Sequence, residues 1–252
     1  MKCFDKNYSL VYDYLYYKKN YTKEFNLIKK IIKKYLSKST SLLDLGCGTG
    51  AYSNLMTKLK LHVVGVDRSS EMLNIAKKKF KKNKKLSFIN SDLVKMKLKK
   101  KFDIISALFH ILSYHTSNKK IDQFFSVTNK HLKKDGILIF DFWHEDGVYK
   151  LQSPFKVREF ENKTFKLVRI TISKWFKNID QIFDIHKLTV LNKKSKKILE
   201  FKEIHKMRYF KLNTIKKKLK QNNFKFLKSL DLQNGKPVSE KSWGALIVAK
   251  KM

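Results

Sequence analysis

Acidic residues are scarce in this sequence: 21 Asp and Glu stand against 57 Lys and Arg, and the formal net charge is +36. Cysteine is almost absent. The two present, Cys3 and Cys47, have neither C-x-x-C spacing nor the clustering of a disulfide framework, so a reducing, cytoplasmic location is expected. No histidine group has metal-ligand spacing, and no metal is expected. Long apolar runs are missing as well. Nothing is long enough to span a bilayer, and the opening Met1-Lys2-Cys3-Phe4-Asp5-Lys6 has no signal-peptide core.

What remains suits a packed α/β protein. The 252 residues are 42% hydrophobic and 13% aromatic, enough for one sizeable domain with an insertion. The charge has two readings. One is a polyanionic partner such as nucleic acid. The other is a chain that uses lysine wherever a polar surface residue will do. Lys29-Lys30, Lys77-Lys78-Lys79, Lys133-Lys134 and Lys216-Lys217-Lys218 are spread over every surface, whereas nucleic-acid binders concentrate charge on one face. The dispersal favours the second.

Phe25, Ile28, Ile31, Ile32 and Tyr35 recur at helical spacing, which predicts a helix over 23–36. Short apolar strands then alternate with helices: strands at 41–45, 61–66, 86–90, 102–108 and 136–142, helices at 51–59, 69–80 and 119–132. That alternation predicts a doubly wound, mostly parallel sheet of seven strands. From 155 to 212 the period shifts to two, in Leu167-Val168-Arg169-Ile170-Thr171-Ile172 and Leu188-Thr189-Val190-Leu191. Turns at Asn178-Ile179-Asp180 and Asn192-Lys193-Lys194-Ser195 mark an inserted antiparallel sheet. A helix at 214–221 and strands at 224–230 and 243–249 complete the α/β part. The division expected is 1–154, 155–212 and 213–252.

Leu42-Leu43-Asp44-Leu45-Gly46-Cys47-Gly48-Thr49-Gly50 follows the first strand and opens a helix. Glycines there let a ligand approach the backbone. With Ala51 the run also satisfies the dinucleotide pattern G-x-G-x-x-G/A, so by itself it is ambiguous. Three carboxylates separate the cases. Asp44, read as a loop residue, would receive an ammonium and repel a pyrophosphate. Asp67 ends the second strand, placed for two ribose hydroxyls, and Asp92 follows the third, placed for an adenine amino group. Carboxylates at both ends suit a sulfonium nucleoside bearing an amino acid.

On these residues the chain resembles the class I (Rossmann-like) S-adenosylmethionine-dependent methyltransferases. The resemblance runs through the glycine motif, Val63-Val64-Gly65-Val66-Asp67, Met72 in Ser69-Ser70-Glu71-Met72-Leu73, and Asp92-Leu93. Phe102-Asp103-Ile104-Ile105 and Leu132-Lys133-Lys134-Asp135-Gly136-Ile137-Leu138 extend it. It implies S-adenosylmethionine as cofactor, held by Asp44, Gly46, Cys47, Gly48, Asp67, Arg68, Met72, Asp92, Leu93 and Leu108. A narrower resemblance is to bacterial sugar methyltransferases, including nucleotide-sugar amine dimethyltransferases. It rests on Tyr12-Asp13, Lys19-Asn20-Tyr21-Thr22-Lys23-Glu24, Phe109-His110-Ile111-Leu112-Ser113-Tyr114, Phe142-Trp143 and His205-Lys206-Met207-Arg208-Tyr209-Phe210. It implies that Tyr12 and Tyr21 close over the cofactor.

Methyl transfer from a sulfonium needs an aligned acceptor, excluded water and, for a hydroxyl or protonated amine, a base. His110 and Tyr114, after the fourth strand, are the catalytic candidates, with Tyr114 or His115 orienting the acceptor. Asp141, Trp143 and His144 are read as following the fifth strand, and Trp143, His144, His205 and Arg208 as substrate contacts, Arg208 for a diphosphate. Each also has a plain packing or surface reading. The acceptor expected is a small molecule, a nucleotide-linked or polysaccharide-pathway sugar, with RNA or a small amine as alternatives. The inserted sheet is expected to wall the acceptor pocket and to offer an edge for a homodimer. The only prolines, Pro154 and Pro237, exclude the Asn/Asp-Pro-Pro-Tyr/Phe motif of base-amino methyltransferases and the Pro-Cys motif of cytosine-carbon enzymes. A nicotinamide oxidoreductase and a non-catalytic basic binding module are the rivals outside methylation.

Overall fold

The computed structural model describes residues 3–151 and 153–252. In chain order the elements are α1 (Lys6–Leu15), α2 (Tyr21–Tyr35), β1 (Ser41–Leu45), α3 (Ala51–Thr57), β2 (His62–Asp67), α4 (Ser70–Lys79), β3 (Leu86–Asn90), β4 (Phe102–Ala107), α5 (Asn118–His131), β5 (Leu132–His144) and α6 (Glu145–Leu151). There follow β6 (Phe155–Glu161), β7 (Phe165–Phe176), β8 (Gln181–Asn192), β9 (Ile198–Phe210), α7 (Leu212–Gln221), β10 (Phe224–Asp231) and β11 (Gly244–Lys251). Single 3-10 turns occupy Leu93–Lys95, Ile111–Tyr114 and Lys177–Ile179. Among the described residues no helix is long and apolar enough to cross a membrane.

Two compact units share the chain. The α/β unit comprises residues 20–151 and 209–252, with strand order β3-β2-β1-β4-β5-β11-β10. β3, β2, β1, β4 and β5 run parallel, and β11 is antiparallel to both its neighbours, β5 and β10. Consecutive strand residues enter opposite cores because side chains alternate across a sheet. Leu43, Leu45, Ile105, Ala107, Leu138, Phe140 and Ile247 pack with Phe124, Phe125 and Ile215 of α5 and α7. Their neighbours Leu42, Ile104, Ile137, Ile139 and Leu246 pack with Ile28, Ile32 and Met56 of α2 and α3. Both faces are covered, which is why these strands are mostly apolar and do not alternate apolar with polar residues. Strand order reverses between β1 and β4. That reversal opens a crevice at their carboxyl ends, the usual ligand position in such sheets.

β5 is longer than the 136–142 read from the sequence and holds Asp141, Trp143 and His144 within it. The short helix α6, unassigned from the sequence, follows it directly.

The second unit contains α1 and residues 153–208, so the first helix groups with the antiparallel strands and not with the rest of 1–154. β6, β7, β8 and β9 form an antiparallel meander with unbroken registers. Asp180 closes one turn at φ 54°, and Asn192 closes the next by accepting the N–H groups of Lys194 and Ser195. The buried Glu203 carboxylate ties the start of the described chain to β9. It accepts the N–H groups of Phe4 at 3.0 Å and Asp5 at 3.1 Å.

Candidate active site

The glycine loop after β1 turns through left-handed backbone at Gly46, Gly48 and Gly50, with φ of 69°, 54° and 80°. L residues resist that region, so glycine is demanded there. A Cβ on Gly46 would lie 2.2 Å from the Ile111 side chain, whereas one on Gly48 would meet nothing within 4 Å. The loop is therefore packed underneath and open at Gly48, where a ligand can meet bare backbone. Gly46 and Cys47 donate N–H bonds to the Val66 carbonyl, and burial pushes the Cys47 thiol far up, so it stays protonated.

Asp67 ends β2. One carboxylate oxygen accepts the Ser69 N–H and the other the Gly48 N–H, both at 2.8 Å. Each oxygen keeps a further lone pair, so the group is held in place and can still take two ribose hydroxyls. Burial raises its pKa against these hydrogen bonds. The Asn90 side chain and the Ser91 N–H, both donating to the Asp67 carbonyl, tie the ends of β2 and β3 together. Sequence reading missed that brace, since an Asn at a strand end has no distinguishing pattern. Asp92 caps the Leu93–Lys95 turn by accepting the Val94 N–H at 3.0 Å. Leu93 is half-buried against the core, Met72 and Leu108 are buried, and Arg68 is exposed.

Asp44 is a correction. The sequence places it in the loop as an ammonium acceptor; the structure puts it inside β1, 3% exposed. Its oxygens accept the hydroxyls of Ser53 at 2.6 Å and Ser106 at 2.8 Å. Burial pushes its pKa up to about 6. The carboxylate pins α3 and β4 to β1 beneath the loop.

A second cluster surrounds His110. Phe109 and His110 are consecutive non-glycine residues in left-handed backbone, φ 70° and 64°. Such strain, of order 1–3 kcal/mol per residue, persists only where surroundings enforce it. Here the fully buried Asp141 enforces it, accepting the His110 N–H at 2.9 Å. His110 Nδ1 lies 2.8 Å from the other Asp141 oxygen. The side chain is 22% exposed. Trp143 packs edge-on at 6.2 Å, and Gly244, paired with Trp143 across β5 and β11, leaves the room the ring occupies. A Cβ on Gly244 would lie 3.0 Å from His110 Cε1. With Nδ1 facing a carboxylate, Nε2 is the nitrogen available to take a proton.

Trp143 donates its backbone N–H to the Ser113 hydroxyl and meets Trp243 at 5.2 Å. Its indole N–H is buried with no hydrogen-bond partner. His144 is buried, its Nε2 3.7 Å from Asp146 and its Nδ1 without a hydrogen-bond partner. Tyr114 ends the Ile111–Tyr114 turn. His115 is held near pKa 4, mainly by burial and then by Lys120. Asp141, Ser113, Trp243 and Gly244 are thus as much a part of this cluster as His110; only their spacing in three dimensions reveals it.

The remaining candidates divide between the two units. Tyr21 opens α2 and packs on Tyr52 at 5.1 Å in the α/β unit, whereas Tyr12 belongs to the antiparallel unit, packed with Phe4, Tyr8 and Tyr16. His205 and Arg208, the expected substrate contacts, are three residues apart on the regular strand β9, so they stand on opposite faces of the sheet. His205 is buried between Phe4, Tyr8 and His186, and Arg208 lies 3.7 Å from Asp180.

Comparison with known proteins bears on the family. Residues 42–136 match the family model described as a methyltransferase domain. A putative methyltransferase of Bacillus subtilis, YqeM, is 30% identical over 201 residues, 77% of each chain. A ubiquinone biosynthesis O-methyltransferase of Pelagibacter ubique is 39% identical over 124 residues, 49% of each chain. A dTDP-3-amino-3,4,6-trideoxy-alpha-D-glucopyranose N,N-dimethyltransferase of Streptomyces venezuelae is 23% identical over 75% of this chain and 86% of its own. Among solved structures, an S-adenosylmethionine-dependent methyltransferase from Clostridium acetobutylicum has the same fold. Its TM-score is 0.84 at 21% identity, covering 97% of this chain and 98% of that one. This chain belongs to the class I S-adenosylmethionine-dependent methyltransferases, and S-adenosylmethionine is its cofactor.

Proposed function

We propose that the enzyme methylates a hydroxyl or amine of a small sugar-like acceptor, with His110 taking the proton. The observation that carries this reading is the His110–Asp141 pair at the carboxyl end of the parallel strands. Its ring is partly open to solvent on one side and walled by Trp143 on the other. The bound cofactor supplies an electrophilic methyl and a neutral thioether leaving group. Asp67 and the open backbone at Gly48 hold the nucleoside, with Met72, Asp92, Leu93 and Leu108 around the base. His110 Nε2 accepts the acceptor's proton, and the imidazolium that forms is stabilised by the Asp141 carboxylate. Tyr114, Trp143 and His144 orient the acceptor and shut out water. The sugar assignment draws on the Streptomyces venezuelae relative, whose match spans most of both chains.

The test is His110→Gln, assayed on nucleotide sugars, simple amines and RNA alongside S-adenosylhomocysteine calorimetry. The expected result is a loss of about a hundredfold or more in kcat, with cofactor affinity unchanged. Wild-type turnover in the variant would remove His110 from the chemistry. Turnover of RNA alone would remove the sugar.

A further inference from the structure

Only four of the 57 cationic residues are arginines: Arg68, Arg158, Arg169 and Arg208. In a chain that meets its surface needs with lysine, two of the four stand directly opposite each other on neighbouring strands, Arg158 on β6 and Arg169 on β7. Directly paired residues share a face with Cβ atoms about 5 Å apart, and like charges so placed repel. Nothing among the described residues offsets that cost by ion pairing with Arg169. Arg169 is 6% exposed, its Nε has no hydrogen-bond partner, and its guanidinium lies over the Tyr16 ring at 6.0 Å. Of the carboxylates on the same face, Asp184 is near enough for Arg169 to act on its charge but forms no ion pair with it among the described residues. Asp184 accepts the Ser173 hydroxyl at 2.6 Å, and Glu203 accepts the N–H groups of Phe4 and Asp5. Lys156, paired with Thr171, and His186 add to the basic side of the face.

The next row of residues explains what an anion there would carry. Phe160 and Leu167 precede or follow the arginines by two positions, about 7 Å along the strands. With Val11, Tyr14, Tyr17 and Phe165 they line a cavity of about 180 Å³. Cavities of about 150 Å³ accept a benzene-sized ring. Tyr14 and Tyr17 stand at its mouth, 38% and 55% exposed, and meet Phe165 and Phe160 edge-on.

We propose that Arg158 and Arg169 of the antiparallel unit form a phosphoryl-binding site, with the adjoining aromatic cavity taking a flat ring attached to the phosphate, as in a nucleoside diphosphate. A carboxylate is satisfied by one guanidinium fork, whereas a phosphoryl group has oxygens and charge for two. The spacing of the two rows matches the short link between a base and its phosphates. This site stands on its own geometry and does not depend on which residue takes the proton in methyl transfer.

The test is calorimetry on the full chain with uridine diphosphate and with inorganic pyrophosphate, both in saturating S-adenosylhomocysteine so that the cofactor site is filled. Arg158→Met and Arg169→Met should each weaken both probes tenfold or more. Tyr17→Ala should weaken uridine diphosphate alone, and Lys187→Met, on the opposite face, should change neither. Should Arg169→Met fail to fold, the exposed Arg158→Met decides. Absence of binding by either probe, or unchanged binding in Arg158→Met, overturns the site. Unchanged affinity for uridine diphosphate in Tyr17→Ala, or an equal loss for both probes, overturns the ring pocket. Tight binding of single-stranded RNA that falls steeply with salt and ignores Arg158→Met assigns the anion affinity to the dispersed lysines instead.

Discussion

Replacing Asp67 by alanine removes three things at once, and the structure allows each to be weighed. In the proposed site the carboxylate accepts two ribose hydroxyls of the cofactor; losing two hydrogen bonds to a charged group costs about 2–4 kcal/mol. That corresponds to a Kd for S-adenosylhomocysteine weaker by about 30- to 700-fold. The same change leaves the Gly48 and Ser69 N–H groups without their acceptor. Both positions are near solvent and water replaces part of each bond, so about 1 kcal/mol apiece is lost. At roughly 2–4 °C per kcal/mol for a chain of this size, Tm falls by about 4–8 °C. Titration calorimetry and thermal unfolding read the two effects separately. Because burial raises the Asp67 pKa, wild-type affinity should also begin to fall at a higher pH than for an ordinary carboxylate, since the neutral acid is a poorer acceptor. An Asp67→Ala protein that binds S-adenosylhomocysteine within about threefold of wild type refutes the placement of the ribose at this residue.

Gly244→Ala places a methyl 3.0 Å from His110 Cε1 and must displace the ring by a few tenths of an ångström; kcat should fall about tenfold or more with the fold intact, as judged by cofactor affinity. Gly46→Ala combines left-handed backbone with a clash against Ile111, and should lower stability by about 1–3 kcal/mol in denaturant unfolding. His186 has its pKa lowered from 6.5 to about 2 by burial, then by His205, Arg169 and Arg158. A depressed base stabilises the fold above its unfolded pKa, so stability should decline below pH 6.5 by up to about 1.4 kcal/mol per unit. His186→Gln keeps an acceptor for the Thr171 hydroxyl and should remove that slope; acid denaturation curves of the two proteins running parallel would contradict it. The raised pKa values of Asp44 and Glu203 act in the opposite sense, which is why the comparison is between variants and not with a fixed pH optimum.

The α/β architecture was legible because its cause is local. Strands buried on both faces are mostly apolar, as Ser41–Leu45 and Phe102–Ala107 are, and helices that cover them must repeat at 3.6 residues, as Phe25 to Ile32 do. The glycine loop was legible for the same reason: positive φ at Gly46, Gly48 and Gly50 leaves its mark as residue identity. Asp67 could be placed at a strand end by counting along the chain. Asp44 could not, since one residue decides whether a carboxylate lies in a loop or beneath it, and only the hydroxyls of Ser53 and Ser106 show which.

The amino-acid sequence by itself determined the fold class and the cofactor, because period, glycine and carboxylate spacing are properties of neighbours along the chain. The tertiary structure alone decided that His110 is oriented by Asp141, 31 residues away, and given room by Gly244 on a strand that returns at the end of the chain. It alone set His205 and Arg208 on opposite faces and brought Arg158 against Arg169. Those pairings depend on strand register and on the order of strands in the sheet, which arise from packing across long sequence separations and leave no periodic trace in either segment.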